Sequence, residues 1–136
     1  MSDRNEYYER EKAYYDKNTF IGYNHIELSC VDQDHVEVYV DLVPESLNGM
    51  GKVHGGMYFT MCDYCGLAAA RTDGRRYVTQ SAAVNYLTTV SEGRITAKAD
   101  VVRRGRATCL VEVNVYSDKD KLLFNAMVTA FCIEGR

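Results

Sequence analysis

Apolar and polar residues alternate along most of the C-terminal two thirds of the chain. H-V-E-V-Y-V-D-L puts Val36, Val38, Val40 and Leu42 on one face, the period-2 pattern of a half-buried strand from His35 to Val43. The pattern returns from Arg94 to Arg103 with Ile95, Ala97, Ala99 and Val101, and from Ala107 to Ser117 with Cys109, Val111, Val113 and Val115. Phe20 to Val31, Tyr77 to Val90 and Leu122 to Ile133 also read as strands, which makes about six. Turn residues punctuate them: Asp32-Gln33-Asp34, Ser91-Glu92-Gly93, Arg104-Gly105 and Asp118-Lys119-Asp120. Pro44 ends the second strand.

Two stretches follow a helical period instead. Residues 4–17 are charged, with Tyr7, Tyr8, Tyr14 and Tyr15 as an aromatic stripe. This helix either docks on the core or a partner subunit, or acts as a lid over a binding site. The second stretch, Asn48 to Ala70, organises the rest. Its glycines (Gly51, Gly55, Gly56) permit a tight turn or close backbone approach, and a long apolar helix follows, ending near Arg71 where Thr72-Asp73-Gly74 stops it. If the helix starts near His54, its first N–H groups lack intrahelical partners and offer a site for negative charge. That helix carries one carboxylate, Asp63. Nine residues past His54, Asp63 faces away from its own helix start, so a neighbouring subunit is one way to bring the two together. The structural alternative is a buried acid satisfied by backbone or hydroxyl groups.

An apolar helix held by an antiparallel sheet gives an α+β fold. The length of 136 residues suits a single domain, residues 1–136, with 1–18 as a helical extension. A net charge of −3 gives no overall basic footprint, which argues against nucleic acid as partner. No apolar run approaches the roughly 20 residues that span a bilayer, and the polar N-terminus shows no secretory signal, so a cytoplasmic location and no membrane partner are expected. The five cysteines have no framework spacing. Cys62-Asp63-Tyr64-Cys65 is formally C-x-x-C, but no βαβ pattern surrounds it, and the three histidines are scattered, so neither redox chemistry nor a metal site is expected.

Asn48, Gly51, His54, Gly55 and Gly56 form N-x-x-G-x-x-H-G-G, followed by Asp63 on the helix. In this fold context, from about Asn24 to Ile133, the chain resembles the hotdog-fold acyl-CoA thioesterases, in the phenylacetic-acid-degradation (PaaI-like) branch. The resemblance implies a sheet wrapped round the long helix, homodimers or homotetramers with active sites at the dimer interface, and hydrolysis of an acyl-CoA to a carboxylic acid and free CoA. No cofactor is implied beyond the CoA of the substrate. By the same resemblance Asp63 is general base or nucleophile, and the Gly55 N–H polarises the thioester carbonyl. Asn48 lies near that carbonyl and the water, His54 positions the loop, and Ser81 orients the water. Gly56 belongs to the binding loop, and Arg103, Arg104 and Arg106 meet the CoA phosphates. Arginine suits such bidentate contacts. Each has a plainer reading: helix start for His54, turn for Asn48, ordinary strand residue for Ser81, helix packing for the glycines, a solvated hairpin tip for the arginines. A hotdog dehydratase fits less well, because its working pair sits in another motif. A hotdog module that binds acyl-CoA without cleaving it is the alternative from a different class. Tyr64, bulky and directly after the acid, bears on the size of the acyl group.

Overall fold

The computed structural model describes residues 5–134; the expected helix start at Arg4 lies outside them. Helix α1 (Glu6–Tyr15) and a short helix α2 (Thr19–Tyr23) precede strands β1 (Glu27–Asp32) and β2 (His35–Asp41). A 3₁₀ turn at Pro44–Ser46 and a loop lead into α3 (Gly55–Ala70), and then β3 (Tyr77–Tyr86), β4 (Arg94–Arg104), β5 (Thr108–Tyr116) and β6 (Leu122–Cys132) complete the chain. The six strands form one sheet in the order β1-β2-β4-β5-β6-β3, antiparallel at every pairing. With α3 packed on that sheet, this is the expected α+β hotdog architecture.

The alternating strands bury the faces that the sequence pattern selects. Val36, Val38 and Val40 on β2, Ile95, Ala97 and Ala99 on β4, and Val111, Val113 and Val115 on β5 are inaccessible to solvent. Against them lie Met61, Cys62, Cys65, Ala68 and Ala69 of α3. The apolar character of α3 thus reflects burial on most of its circumference. Helix and sheet approach closely at Gly66, where a Cβ would stand 3.3 Å from Val128 Cγ2 and 3.4 Å from Val113 Cγ2. No helix among the described residues is long and apolar enough to cross a membrane.

Three local features depart from the sequence pattern. Phe20 to Tyr23, expected to begin a strand, belong to α2 instead: the Asn18 side chain caps it by accepting from the Ile21 N–H at 3.4 Å, and Ile21 alone of that helix is buried. Strand β3 ends at Tyr86 rather than Val90, because the Leu87 and Thr88 N–H groups both turn to the Leu123 carbonyl. Irregularities between Thr79 and Ser81 on β3, and between Val101 and Arg103 on β4, insert one extra residue each. A bulge of this kind reverses which residues face the core beyond it.

Helix α1 docks on β1 and on the turn that follows α3, and touches α3 itself at Tyr64. Its buried Glu11 accepts from Arg71 Nε at 3.1 Å, from Arg71 Nη2 at 2.8 Å and from the Tyr64 hydroxyl at 2.6 Å. Tyr15 donates to the Ile26 carbonyl and meets the Tyr64 ring edge-on, and Tyr14 lies under the Arg71 guanidinium, 4.0 Å away. The tyrosine stripe is therefore a docking face.

Candidate active site

The loop before α3 is built for a sharp entry into the helix. Asn48 Oδ1 accepts from the N–H groups of Met50 and Lys52, at 2.8 and 3.2 Å, while Gly51 takes a positive φ of 75° that favours glycine. These bonds fix the Asn48 amide so that its oxygen serves the turn, while its NH₂ has no acceptor among the described residues. His54 is the N-cap of α3: its Nδ1 accepts from the Gly56 N–H at 2.8 Å. The imidazole thereby occupies one of the free donors of the helix start. Gly55, as first residue of the helix, donates to no preceding turn, and its N–H takes no acceptor among the described residues. Asn48 and Gly55 line a cleft of about 270 Å³ with Tyr58, Tyr86 and Thr88. Next to Gly55 the Tyr86 ring stands so close that a Cβ there would lie 3.2 Å from Cε1. His54 and Gly56 line a separate cleft with Phe20 and Thr60.

Asp63 sits on α3, half-buried, and opens into a cleft of about 370 Å³ together with Phe20, Phe59, Thr60, Leu67 and Arg71. Its carboxylate accepts a short hydrogen bond, 2.5 Å, from the Thr79 hydroxyl on β3. The cleft shares no residue with the one that holds Asn48 and Gly55. Within one chain the acid and the free amide thus belong to different surfaces. Ser81 is not beside the acid: beyond the bulge it pairs with Thr129 on the outer face and is exposed, while Thr79, before the bulge, faces α3. The resemblance implied Ser81 for a water-orienting hydroxyl, whereas the hydroxyl that meets the acid is that of Thr79; a bulge leaves no trace in simple alternation.

The arginines separate in the same way. Arg103 and Arg106 are exposed. Arg104, beyond the β4 bulge, turns inward and caps α3, donating to the carbonyls of Ala69 and Ala70 and pairing with Asp34 at 2.8 Å and Asp73 at 2.7 Å. With those acceptors in place, Arg104 is a structural cation rather than part of the exposed basic cluster. Arg75 braces the hairpin through the carbonyls of Gly105 and Arg106.

Burial pushes the Cys62 thiol up to about 12, helped by the neighbouring Asp63 charge, and raises Cys65 well above the ordinary thiol range. Thiols held protonated are poor nucleophiles, and both cysteines of the C-x-x-C spacing are buried. The Tyr64 hydroxyl is likewise pushed up, by burial and then by Glu11. Cys30, His35 and Glu37 bring one donor atom each within 4.8 Å of the others. Both His35 ring nitrogens already face carboxylates, Glu37 at 2.8 Å and Asp100 at 2.6 Å. Burial alone would lower the His35 pKa, but these two hydrogen bonds outweigh it and raise it, as befits an imidazolium in an ion triad.

The sequence pattern of the thioesterase superfamily matches residues 50–124. A protein of Saccharolobus solfataricus named as an esterase is 27% identical over 134 residues, covering 95% of this chain and 83% of that protein. The Escherichia coli PaaI protein from the phenylacetic acid degradation operon superposes with a TM-score of 0.91 at 21% identity, covering 95% of this chain and 94% of that one. A Streptococcus pneumoniae thioesterase, solved with coenzyme A, superposes with a TM-score of 0.76 at 30% identity, covering 79% of this chain and 88% of that one. Structures of an Asp-to-Ala and a Thr-to-Ala variant of the S. pneumoniae protein also match, and the two altered positions lie sixteen residues apart. From the sheet that holds an apolar helix, the acid on that helix and these likenesses, the chain belongs to the thioesterase superfamily and is a thioester hydrolase with the hotdog fold.

Proposed function

We propose that the protein hydrolyses acyl-CoA thioesters at sites shared between two copies of the chain. The observation that carries this reading is Asp63: a carboxylate on an otherwise apolar helix, held by Thr79 and open to a cleft. Its spacing to Thr79 is sixteen residues, as between the two altered positions of the S. pneumoniae thioesterase. A role for CoA draws support from that protein's coenzyme A complex and from a 30% identical Streptococcus mutans protein solved with acetyl-CoA.

In this mechanism Asp63 acts as general base on water or attacks the thioester carbonyl itself. The carbonyl oxygen becomes an oxyanion and accepts from the Gly55 N–H of the second copy, a preorganised donor at a helix start. The Asn48 NH₂, on the same cleft as Gly55, holds the carbonyl or the water. The C–S bond then breaks and the CoA sulfur leaves with a proton; where water attacked, the carboxylic acid is formed directly, and where Asp63 attacked, an acyl–Asp63 anhydride is formed that water hydrolyses to the acid and free Asp63. His54 shapes the loop by capping the helix, and Gly56 supplies the N–H it holds. Exposed Arg103 and Arg106 supply charge for the CoA phosphates. A cytoplasmic homodimer or homotetramer completes the reading: β3 is a ten-residue edge strand with one side unpaired, and such edges are protected by pairing.

Free-thiol release from a panel of acyl-CoAs, short alkyl to aryl, by the wild type and by Asp63→Asn tests it. Release that disappears in Asp63→Asn, with ligand affinity kept, supports the hydrolase. Tight binding of one member with no release from any would replace it by a binding module.

A further inference from the structure

The β1–β2 hairpin gathers metal-binding donors on the face of the sheet turned away from α3. Cys62, Cys65, Cys109 and Cys132 belong to the hydrophobic core; Cys30 is buried too but stands outside it. The cause is an irregularity of β1 between Leu28 and Cys30. Leu28 and Val31 keep to the core, while Cys30 pairs with Glu37 across the hairpin. It therefore shares the outer face with Glu37 and with His35, two residues before Glu37 on β2. Asp100 on β4 pairs with His35 on that same face.

One donor atom from each of Cys30, His35 and Glu37 lies within 4.8 Å of the other two. Donors held by one tetrahedral ion at its usual bond lengths stand about 3.3–3.8 Å apart, so modest side-chain rotation seats an ion among these three. His35 is oriented for it. Its Nδ1 faces Asp100 at 2.6 Å, which leaves Nε2 toward Glu37 at 2.8 Å. A carboxylate behind one ring nitrogen is the usual support of a histidine that ligates through the other. The Cys30 thiol is held in turn, donating to Asp32 Oδ2 at 3.8 Å. The surroundings are acidic and offer no rival cation. Among the described residues no lysine or arginine forms an ion pair with Glu37 or Asp100, and Lys98, opposite Glu37 in register, sets its Nζ over the Tyr116 ring. The side chains of His35 and Glu37 are 28% and 20% exposed, which gives an ion a way in and leaves its fourth position to water.

We propose that Cys30, His35 and Glu37 form a zinc site, with Asp100 as the positioning residue of His35. The donor set selects the metal. Magnesium and calcium take oxygen ligands, whereas one thiolate, one imidazole and one carboxylate round a tetrahedral centre suit zinc. On binding, the thiol proton and the Nε2 proton pass to solvent, and the ion ties the edge strand β1 to β2. Scattered histidines argued against a metal in the sequence, because the ligands come from two strands and the β1 irregularity turns Cys30 toward them. The site shares no residue with the clefts of Asp63 and Gly55, so it is independent of the thioesterase reading.

The test uses the full chain, untagged, stripped with EDTA and kept reduced. Titration with zinc against a chromophoric chelator is expected to give about one equivalent per chain. Cobalt in its place is expected to give a thiolate-to-metal charge-transfer band and the intense visible bands of a tetrahedral centre. Cys30→Ser should remove the charge-transfer band, and His35→Gln should abolish stoichiometric binding. Asp100→Asn should keep the band and weaken zinc by roughly 10- to 100-fold, a loss that a merely structural role would not produce. Thermal melting in EDTA verifies the fold of each variant, and added zinc should raise the melting temperature of the wild type but not of Cys30→Ser. Absence of stoichiometric binding by the wild type overturns the inference. So does a charge-transfer band that survives Cys30→Ser, since it belongs to another thiol. Should Cys30→Ser fail to fold, His35→Gln decides: zinc held as tightly as by the wild type overturns the site.

Discussion

The hydrogen bond from Thr79 to Asp63 assigns a task to a hydroxyl that lies sixteen residues from the acid. It satisfies one carboxylate oxygen and limits how the side chain can turn toward the cleft, which on the proposed mechanism makes Thr79 a positioning residue. Thr79→Ala is expected to lower kcat by roughly 10- to 100-fold with a smaller change in KM, Thr79→Ser to restore most of it, and Ser81→Ala to stay within about threefold of wild type. Steady-state kinetics on the three variants checks this; a large loss in Ser81→Ala alone would return the role to Ser81. The alternation of β3 could not show the difference, because the extra residue at Gln80 reverses the facing of everything after it. Arg104 was illegible for the same reason, one bulge along on β4. Asp63, by contrast, was legible from its place in an apolar run. A second residue-scale expectation concerns His35. Its pKa is raised in the folded protein, so its contribution to stability is complete below the unfolded value of about 6.5 and disappears as pH rises through the folded pKa. His35→Gln should therefore cost about 0.5–1 kcal/mol near pH 5.5, discounted for partial exposure, and close to nothing near pH 9. Urea unfolding at the two pH values measures both; a penalty equal at both would mean that the ring packs rather than pairs.

At the scale of elements, the N-terminal helix shows what periodicity can and cannot disclose. Its tyrosine stripe announced a docking face, but not the partner, because the contact runs through a charged residue. Glu11 stands within the aromatic stripe, three and four residues from its tyrosines, and it is buried and binds Arg71 and Tyr64 of the α3 region. A buried pair adds little when intact, since desolvation offsets attraction, but removing one partner leaves an uncompensated charge. Glu11→Ala is expected to destabilise by about 3–5 kcal/mol, measured by chemical denaturation, whereas replacing both partners by amides should cost much less. Equal penalties for the single and double replacements would show that α1 is held by its tyrosines and not by the ion pair. The false strand at 20–23 has a related origin. F-I-G-Y is apolar enough for either element, and the Asn18 cap with one buried side chain, Ile21, decides for a helical turn. Gly66 tests the helix–sheet seam from the other side. Gly66→Val would drive new methyl groups toward Val113 and Val128, which a Cβ alone already approaches to 3.4 and 3.3 Å, and overpacking of this kind costs about 1–3 kcal/mol.

At the scale of the whole molecule, the separation of the two clefts bears on assembly. Asp63 and Thr79 open to one surface, Asn48 and Gly55 to another, and the two clefts share no lining residue. The proposed mechanism puts an acid and an oxyanion donor at the same carbon, and on that proposal a second copy would unite what one chain keeps apart. The proposed two-fold pairing would use the edge of β3, which carries exposed Val78 and Tyr86, and would bring the Asp63 of one copy to the Gly55 loop of the other. Two inactive variants then become a test. Asp63→Asn lacks the acid, and Asn48→Ala lacks the amide but keeps Gly55; each homodimer should be nearly dead. In a mixed dimer both lesions fall in one of its two sites, and the other site receives an intact Asp63 and an intact Asn48. Unfolding and refolding an equimolar mixture should therefore restore about a quarter of wild-type thiol release, half of the dimers being mixed and half of their sites repaired. If both residues served the site from the same chain, each site of the mixed dimer would carry one lesion and no activity would return.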